Sequence, residues 1–189
     1  MCRNFSDQPV PAAVVDRLLE RAVHAPSAGF SQGWSFLVLH GPDQVGRFWE
    51  AVSDEEWLRD AGQPGLLRAP VVVVPLCSPE RYLERYSEPD KVAHGLTSAE
   101  AWAVPYWTVD VSFATMLLLL GVVEEGLGAL FFGRDASAYE RLRRQFAIPD
   151  GWNPIGAVLV GWPADDWGPK GSSTRPRRPL SDVVHRGGW

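Results

Sequence analysis

The chain has 189 residues, 46% of them hydrophobic, enough to bury a sizeable core, and residues 1–189 read as one domain. Eighteen basic against 23 acidic residues give a formal net charge of −5. That balance argues against a broad nucleic-acid or membrane surface and leaves room only for a small local anion site.

The first predicted element is a helix in "VPAAVVDRLLERAVHA", where Val14, Val15, Leu18, Leu19, Ala22 and Val23 recur at helical spacing. Pro11 sits near its first turn, and Pro26 and Gly29 stop it. "SFLVLHG" reads as a strand and "PDQVGRFWEAVS" as a helix, and "EEWLRDAGQPGLLRAP" as a second helical segment broken by Pro64. "VVVVPLC" has the length and β-branched composition of a buried strand. A short helix and an irregular excursion follow in "PERYLERYSEPDKVAHGLTSAEAWAVPYW". "TVDVSFATMLLLLGVVEEG" is apolar on nearly every side, which predicts a helix buried all round. "LGALFFG" is then a strand, "SAYERLRRQFAI" an exposed helix and "PIGAVLVGWP" one further strand. From Ala164 periodicity is lost in a Pro/Gly/Ser-rich stretch that turns basic.

One connection stands out. "APSAGFSQGW" carries ten neutral residues, with a proline, two glycines, two serines and a glutamine, where a charged surface loop would be ordinary. Small residues let backbone N–H groups approach a ligand closely, so the stretch reads as lying against something flat and anionic. Cys2 and Cys77 are far apart and form no disulfide or zinc pattern, so both read as reduced. His24, His40, His94 and His185 show no HxxxH or HExxH spacing, so no metal site is expected. No apolar run opens the chain, and Phe113 to Val123 is too short to span a bilayer; the expected location is cytoplasmic. No GxGxxG opens a βαβ unit, so a nicotinamide would have no Rossmann site of its own.

Four elements in order resemble the nitroreductase family of flavin enzymes. "RNFSDQPVP" with "LLERAVHAPSAGFSQGWSFLVL" is similar to its opening, and "LLLLGVVEEGLGALFFG" to its core helix and following strand. "IPDGWNPIGAVLVGWP" is similar to its penultimate strand region and "RPRRPLSDVVHRGGW" to its basic closing segment. The resemblance implies an α+β fold, a three-layer α/β/α sandwich with a central mixed sheet. It implies an extended C-terminal arm, about residues 164–189, docking on the partner of a homodimer. It also implies FMN, with NADH or NADPH as donor and a nitroaromatic, quinone, enone or similar flat small molecule as acceptor. No nucleic acid or membrane partner is expected. The runner-up is a flavin- or ligand-binding protein of the same fold without turnover.

Residue by residue, the resemblance implies that Arg3, Arg177 and Arg178 grip the FMN phosphate, for which guanidinium forks are well shaped. Arg175 is a weaker alternate. Pro26, Ser27, Ala28, Gly29, Phe30 and Ser31 would approach the flavin held mainly by the other subunit, with Gln32 orienting the loop. Leu130, Phe131, Phe132 and Gly133 occupy the strand whose backbone meets the ring, the N–H groups of Phe132 and Gly133 facing flavin N5. No catalytic side chain is expected. Trp102, Tyr106 and Trp107 suggest an aromatic-walled substrate pocket, near which Asp110 and Glu100 could tune substrate choice; Asp110 reads more simply as a helix-start carboxylate. The pattern departs at three places: a single N-terminal arginine, Phe30 and Gly33 where relatives carry Asn and Pro, and only Gln63 and Arg68 ahead of "APVVVV".

Overall fold

In the computed structural model, which describes residues 1–54, 64–164 and 174–189, three layers are built around one sheet. Helix α1 (Ala12–Ala22) leads to strand β1 (Trp34–His40), helix α2 (Pro42–Val52), strand β2 (Val71–Cys77) and helix α3 (Pro79–Tyr86). Helix α4 (Tyr106–Glu124), strand β3 (Gly128–Phe132), helix α5 (Ala136–Phe146) and strands β4 (Asn153–Pro154) and β5 (Ala157–Gly161) complete the order. The strand order is β1-β2-β5-β3, with β4 also on β2, and every described pairing is antiparallel rather than mixed.

Alternation along the strands divides the core. Val72, Val74, Leu76, Ala157 and Leu159 pack with Phe48 and Val52 of α2 and Ala138 and Leu142 of α5. Val71, Val73, Val158 and Val160 face the other way, onto Val15, Leu18 and Ala22 of α1 and Leu118 and Val122 of α4. Both inner strands are buried along their whole length, which is why they read as continuous apolar runs. Asp135 caps α5 by accepting from the Ala138 N–H at 3.0 Å, and the Ser137 hydroxyl first, with this bond second, holds its carboxyl down at about 2.

Two further sequence expectations change. The single strand expected over "PIGAVLVGWP" is two pieces, β4 and β5. Pro75 of β2 has no N–H to give, only its carbonyl, which accepts from Ile155 at 3.1 Å, and the ladder is interrupted there. At Gly156 an added Cβ would lie 2.5 Å from the Phe131 ring and 2.9 Å from the Phe132 carbonyl, so only glycine fits. The other change is α4, which is not buried all round. Asp110, Val111, Ala114, Thr115, Leu118, Gly121 and Val122 face inward. Tyr106, Phe113, Met116, Leu120 and Val123, spaced 7, 3, 4 and 3 apart, form an exposed apolar stripe on the other face. The chain is apolar on both faces of α4 but covers only one of them. By length and composition α4 could span a membrane, and its inner face is instead packed on α1 and the sheet.

The N-terminal segment is tied to the β3 edge: the Cys2 N–H donates to Ala129 O at 2.7 Å, and Phe5 is fully buried. Arg68 spans the same region, donating to Phe5 O and Asn4 Oδ1, both at 2.7 Å. The helical segment read over 55–70 is described only from Pro64, where Pro64–Arg68 forms a 3-10 turn; Gln63 lies outside the described residues. At the other terminus, residues 174–189 are all exposed, with one 3-10 turn at Leu180–Asp182. Arg178 donates to Asp182 O at 2.7 Å and His185 stacks on Trp189 at 4.1 Å, contacts internal to that segment.

Candidate functional site

The neutral loop opens at one end of the sheet. Trp34 pairs with Cys77, so the residues just before it lie at the Cys77 end of β2, together with the Phe132 end of β3. Arg3 lies at the opposite end, next to the strand residues Ala129 and Gly161. A single chain therefore does not bring Arg3 and residues 26–31 together. Arg177 and Arg178 both stand exposed on the terminal segment.

The loop has a defined conformation despite lacking regular length. Ala28–Phe30 forms a 3-10 turn, and Gly29, Phe30 and Gln32 have φ of +60°, +58° and +48°. Two of those are not glycines, and a bulky residue in the left-handed region is an outlier that surrounding contacts must hold. Ser31 Oγ donates to Ala28 O at 2.7 Å, and Ser27 Oγ accepts from the Gln32 N–H at 3.0 Å. The serine hydroxyls thus lock the loop itself, rather than being kept entirely for a ligand. Phe30 is 71% exposed, its ring turned to solvent.

What holds the loop comes from α3 and α4. One carboxylate oxygen of Asp110, on a side chain buried against the sheet, accepts the Ala28 N–H and the Tyr82 hydroxyl, each at 2.8 Å. Arg85 Nε donates to Gly29 O at 2.9 Å while its two terminal nitrogens each hold Asp90 at 2.7 Å. The Arg85 guanidinium, chiefly by hydrogen bonding, holds the Asp90 carboxyl down at about 2. Tyr82, Tyr86 and Arg85 all project from one side of an eight-residue helix. Sequence reading missed all three, and placed Asp110 at a helix start or near the pocket but not as the anchor of the loop. The usable signal was Asp110 itself, the one charged residue inside a long apolar run.

Burial first, then donation to Asp110 and the charge of Asp110, push the Tyr82 hydroxyl well above its usual value of about 10. The fold thus holds the neutral phenol, and this stabilisation is complete below about pH 10 and lost as pH rises beyond it. Melting temperature is expected to fall between about pH 9.5 and 11 more steeply in the wild type than in Tyr82→Phe. Parallel melting curves against pH check this, and equal slopes would count against it.

The aromatic residues expected to wall a pocket do meet. Trp102 lies 4.7 Å from Tyr86, 5.8 Å from Tyr106 and 6.1 Å from Trp107, with Tyr82 at 6.0 Å. Trp102 Nε1 donates to Leu96 O at 3.0 Å, pinning the excursion before α4. Trp107 packs inward beside Val111 and Ala25, and Tyr106 alone of the three is largely exposed. On β3, Leu130 and Phe132 pack on one face of the sheet, Phe132 stacked on Trp49 at 5.9 Å, and Phe131 on the other. Their side chains are committed to the core, leaving the backbone end at Phe132 and the exposed Gly133 for a ligand. Among the described residues no three His, Cys, Asp or Glu side chains stand where they could hold a metal ion.

A three-layer α+β sandwich with this sheet order, an apolar helix face and a small-residue loop at the sheet end matches known proteins across its length. The fold is that of an FMN-dependent nitroreductase from Clostridium difficile R20291 (TM-score 0.70, 19% identity, 100% of this chain and 94% of that one). A nitroreductase family protein from Clostridium difficile 630 gives the same picture, with TM-score 0.70, 20% identity, and coverage of 100% and 93%. An NADPH-dependent oxidoreductase from Staphylococcus epidermidis is 24% identical over 184 residues, 97% of this chain and 68% of that protein. The family model described as the nitroreductase family matches residues 1–162. The chain belongs to the nitroreductase family, a class of oxidoreductases.

Proposed function

We propose that the protein is a homodimeric, cytoplasmic FMN enzyme that passes electrons from NADH or NADPH to a nitroaromatic, quinone, enone or similar flat acceptor. The observation that carries this reading is the separation of its parts. The loop at 26–31 and the cation at Arg3 lie at opposite ends of one sheet, and the exposed stripe of α4 offers the face by which a second copy would bring them together. Association across that face would cover Met116, Leu120 and Val123, which a lone chain leaves in water.

The residues present fit FMN. Arg3 is half-buried, and Arg177 and Arg178 are exposed, three guanidinium groups for a dianionic phosphate. The loop toward the ring carries no charge, and the end of β3 offers backbone rather than side chain. Bound FMN supplies hydride chemistry that no side chain of this chain could perform. The protein's part is to orient it. Arg3, Arg177 and Arg178 would fix the phosphate, residues 26–31 would bound the ring, and the backbone N–H groups of Phe132 and Gly133 would donate where negative charge develops. Tyr106, beside Trp102 and Trp107, would form the wall for the acceptor.

Protein incubated with FMN and desalted is expected to be yellow and to bleach under anaerobic NADPH or NADH, with colour restored by a quinone. In the Arg177→Ala/Arg178→Ala double variant, FMN retention is expected to fall by about tenfold or more, equivalent to about 1.4 kcal/mol. Colourless protein that leaves FMN fluorescence unquenched would favour a binding protein without turnover.

A further inference from the structure

Three side chains around the loop tie its conformation to α3 and α4: Asp110, Tyr82 and Arg85. Asp110 is the one ionisable group on the inward face of α4, and both of its described bonds go to one oxygen: the Ala28 N–H and the Tyr82 hydroxyl. A buried carboxylate is costly to keep, so its two donors must be worth holding in place. Between them they fix the start of the turn, while Arg85 fixes Gly29 O. The outcome is a strained backbone, φ +58° at a phenylalanine, whose ring is 71% exposed. Strain of this kind survives only where its surroundings over-determine it, and it clusters at ligand clamps. An apolar ring pushed into water on a rigid, uncharged loop gains nothing for the folded chain alone. It gains by covering a flat apolar face.

We propose that Asp110 is a positioning residue for flavin binding, acting through Ala28 to hold residues 27–32 in their binding conformation and so present Phe30 as an aromatic platform against the isoalloxazine ring. This rests on the FMN reading above and deepens it by naming what sets the loop. With the loop already fixed, FMN meets a surface that does not have to be ordered on binding. Phe30 would meet the ring by stacking.

The test is a double-mutant cycle on flavin affinity, read by quenching of FMN fluorescence on titration into the apoprotein. Asp110→Ala is expected to weaken FMN by about tenfold or more, Asp110→Asn, which keeps an acceptor oxygen, by only about threefold. Phe30→Ala is expected to weaken FMN and to shift the visible band of the bound flavin. The decisive comparison is Asp110→Ala made in the Phe30→Ala background, where its effect on FMN should shrink to about twofold or less, because the ring it positions is gone. If Asp110→Ala lacks a cooperative melt, the same cycle is run with Tyr82→Phe, which removes one donor from the carboxylate and keeps the ring. Equal effects of the Asp110 or Tyr82 substitution in both backgrounds would overturn the proposal by showing a purely structural role. Wild-type protein that binds FMN tightly with no change on either Asp110 substitution would overturn it too and leave the FMN reading standing. Wild-type protein that quenches no FMN fluorescence would overturn both.

Discussion

Glutamate at Met116 and Leu120 together is expected to give a folded monomer that no longer retains FMN. Both side chains are more than half exposed in the single chain, so the change leaves the packing of α4 on α1 and the sheet untouched. The protomer should therefore keep its far-ultraviolet circular dichroism. On the proposed dimer the same positions meet their symmetry mates, and four carboxylates would be forced into one apolar seam. Charges taken from water without partners cost several kcal/mol each, more than such an interface could absorb. If the flavin site needs the loop of one copy and the arginines of the other, FMN affinity should fall by about tenfold or more along with dimerisation, about 1.4 kcal/mol at least. Sedimentation velocity and FMN titration on the same samples read both. A variant that remains dimeric would show that the stripe is not the seam, and a monomer that still binds FMN would show that the flavin site does not need both copies.

Gly33→Ala is expected to be the most damaging single methyl in the loop. A Cβ there would lie 2.3 Å from Cε2 of Tyr82 and 3.2 Å from the Ser78 carbonyl. The Tyr82 ring is fully buried and its hydroxyl is tied to Asp110, so it cannot swing aside. Overpacking of this kind costs about 1–3 kcal/mol. In a chain of this size each kcal/mol lowers the melting temperature by roughly 2–4 °C. Because the displaced ring is bonded to the carboxylate that holds Ala28, FMN retention should weaken in parallel. A melting scan and an FMN titration check the two effects, and a melt within about 1 °C of wild type would show that Tyr82 yields.

The reason for Gly33 was not legible in the sequence. Read along the chain, it is only a second glycine in a neutral, turn-prone loop. Its cause lies 49 positions later, in a tyrosine on a helix whose polar neighbours gave no hint of a buried face. Local patterns did better where the determinant is local. The Val14 to Val23 periodicity gave α1, the run at 71–77 gave β2 with its bounds, and the neutral loop stood out by composition. Pro75 was in plain view too, but the interruption it imposes falls on β4 and β5, which pair with its strand from 76 to 89 residues away. For α4 composition could not distinguish a helix surrounded by its own chain from one that buries a single face. The candidate site divides along the same line. Its loop and terminal arginines were readable as residue types in order, whereas the Tyr82–Asp110–Ala28 connection joins three segments distant in sequence.

Arg3 stands close to the chain start, yet it is not a loose end. Cys2 before it is buried and hydrogen-bonded to β3, Phe5 after it is fully buried, and Arg68 reaches across to fasten Asn4 and Phe5. Its backbone has thus surrendered its freedom during folding, and only the side-chain torsions remain to be frozen when an anion arrives. A guanidinium on so firm a footing gives up less freedom in meeting an anion than one carried on a frayed strand.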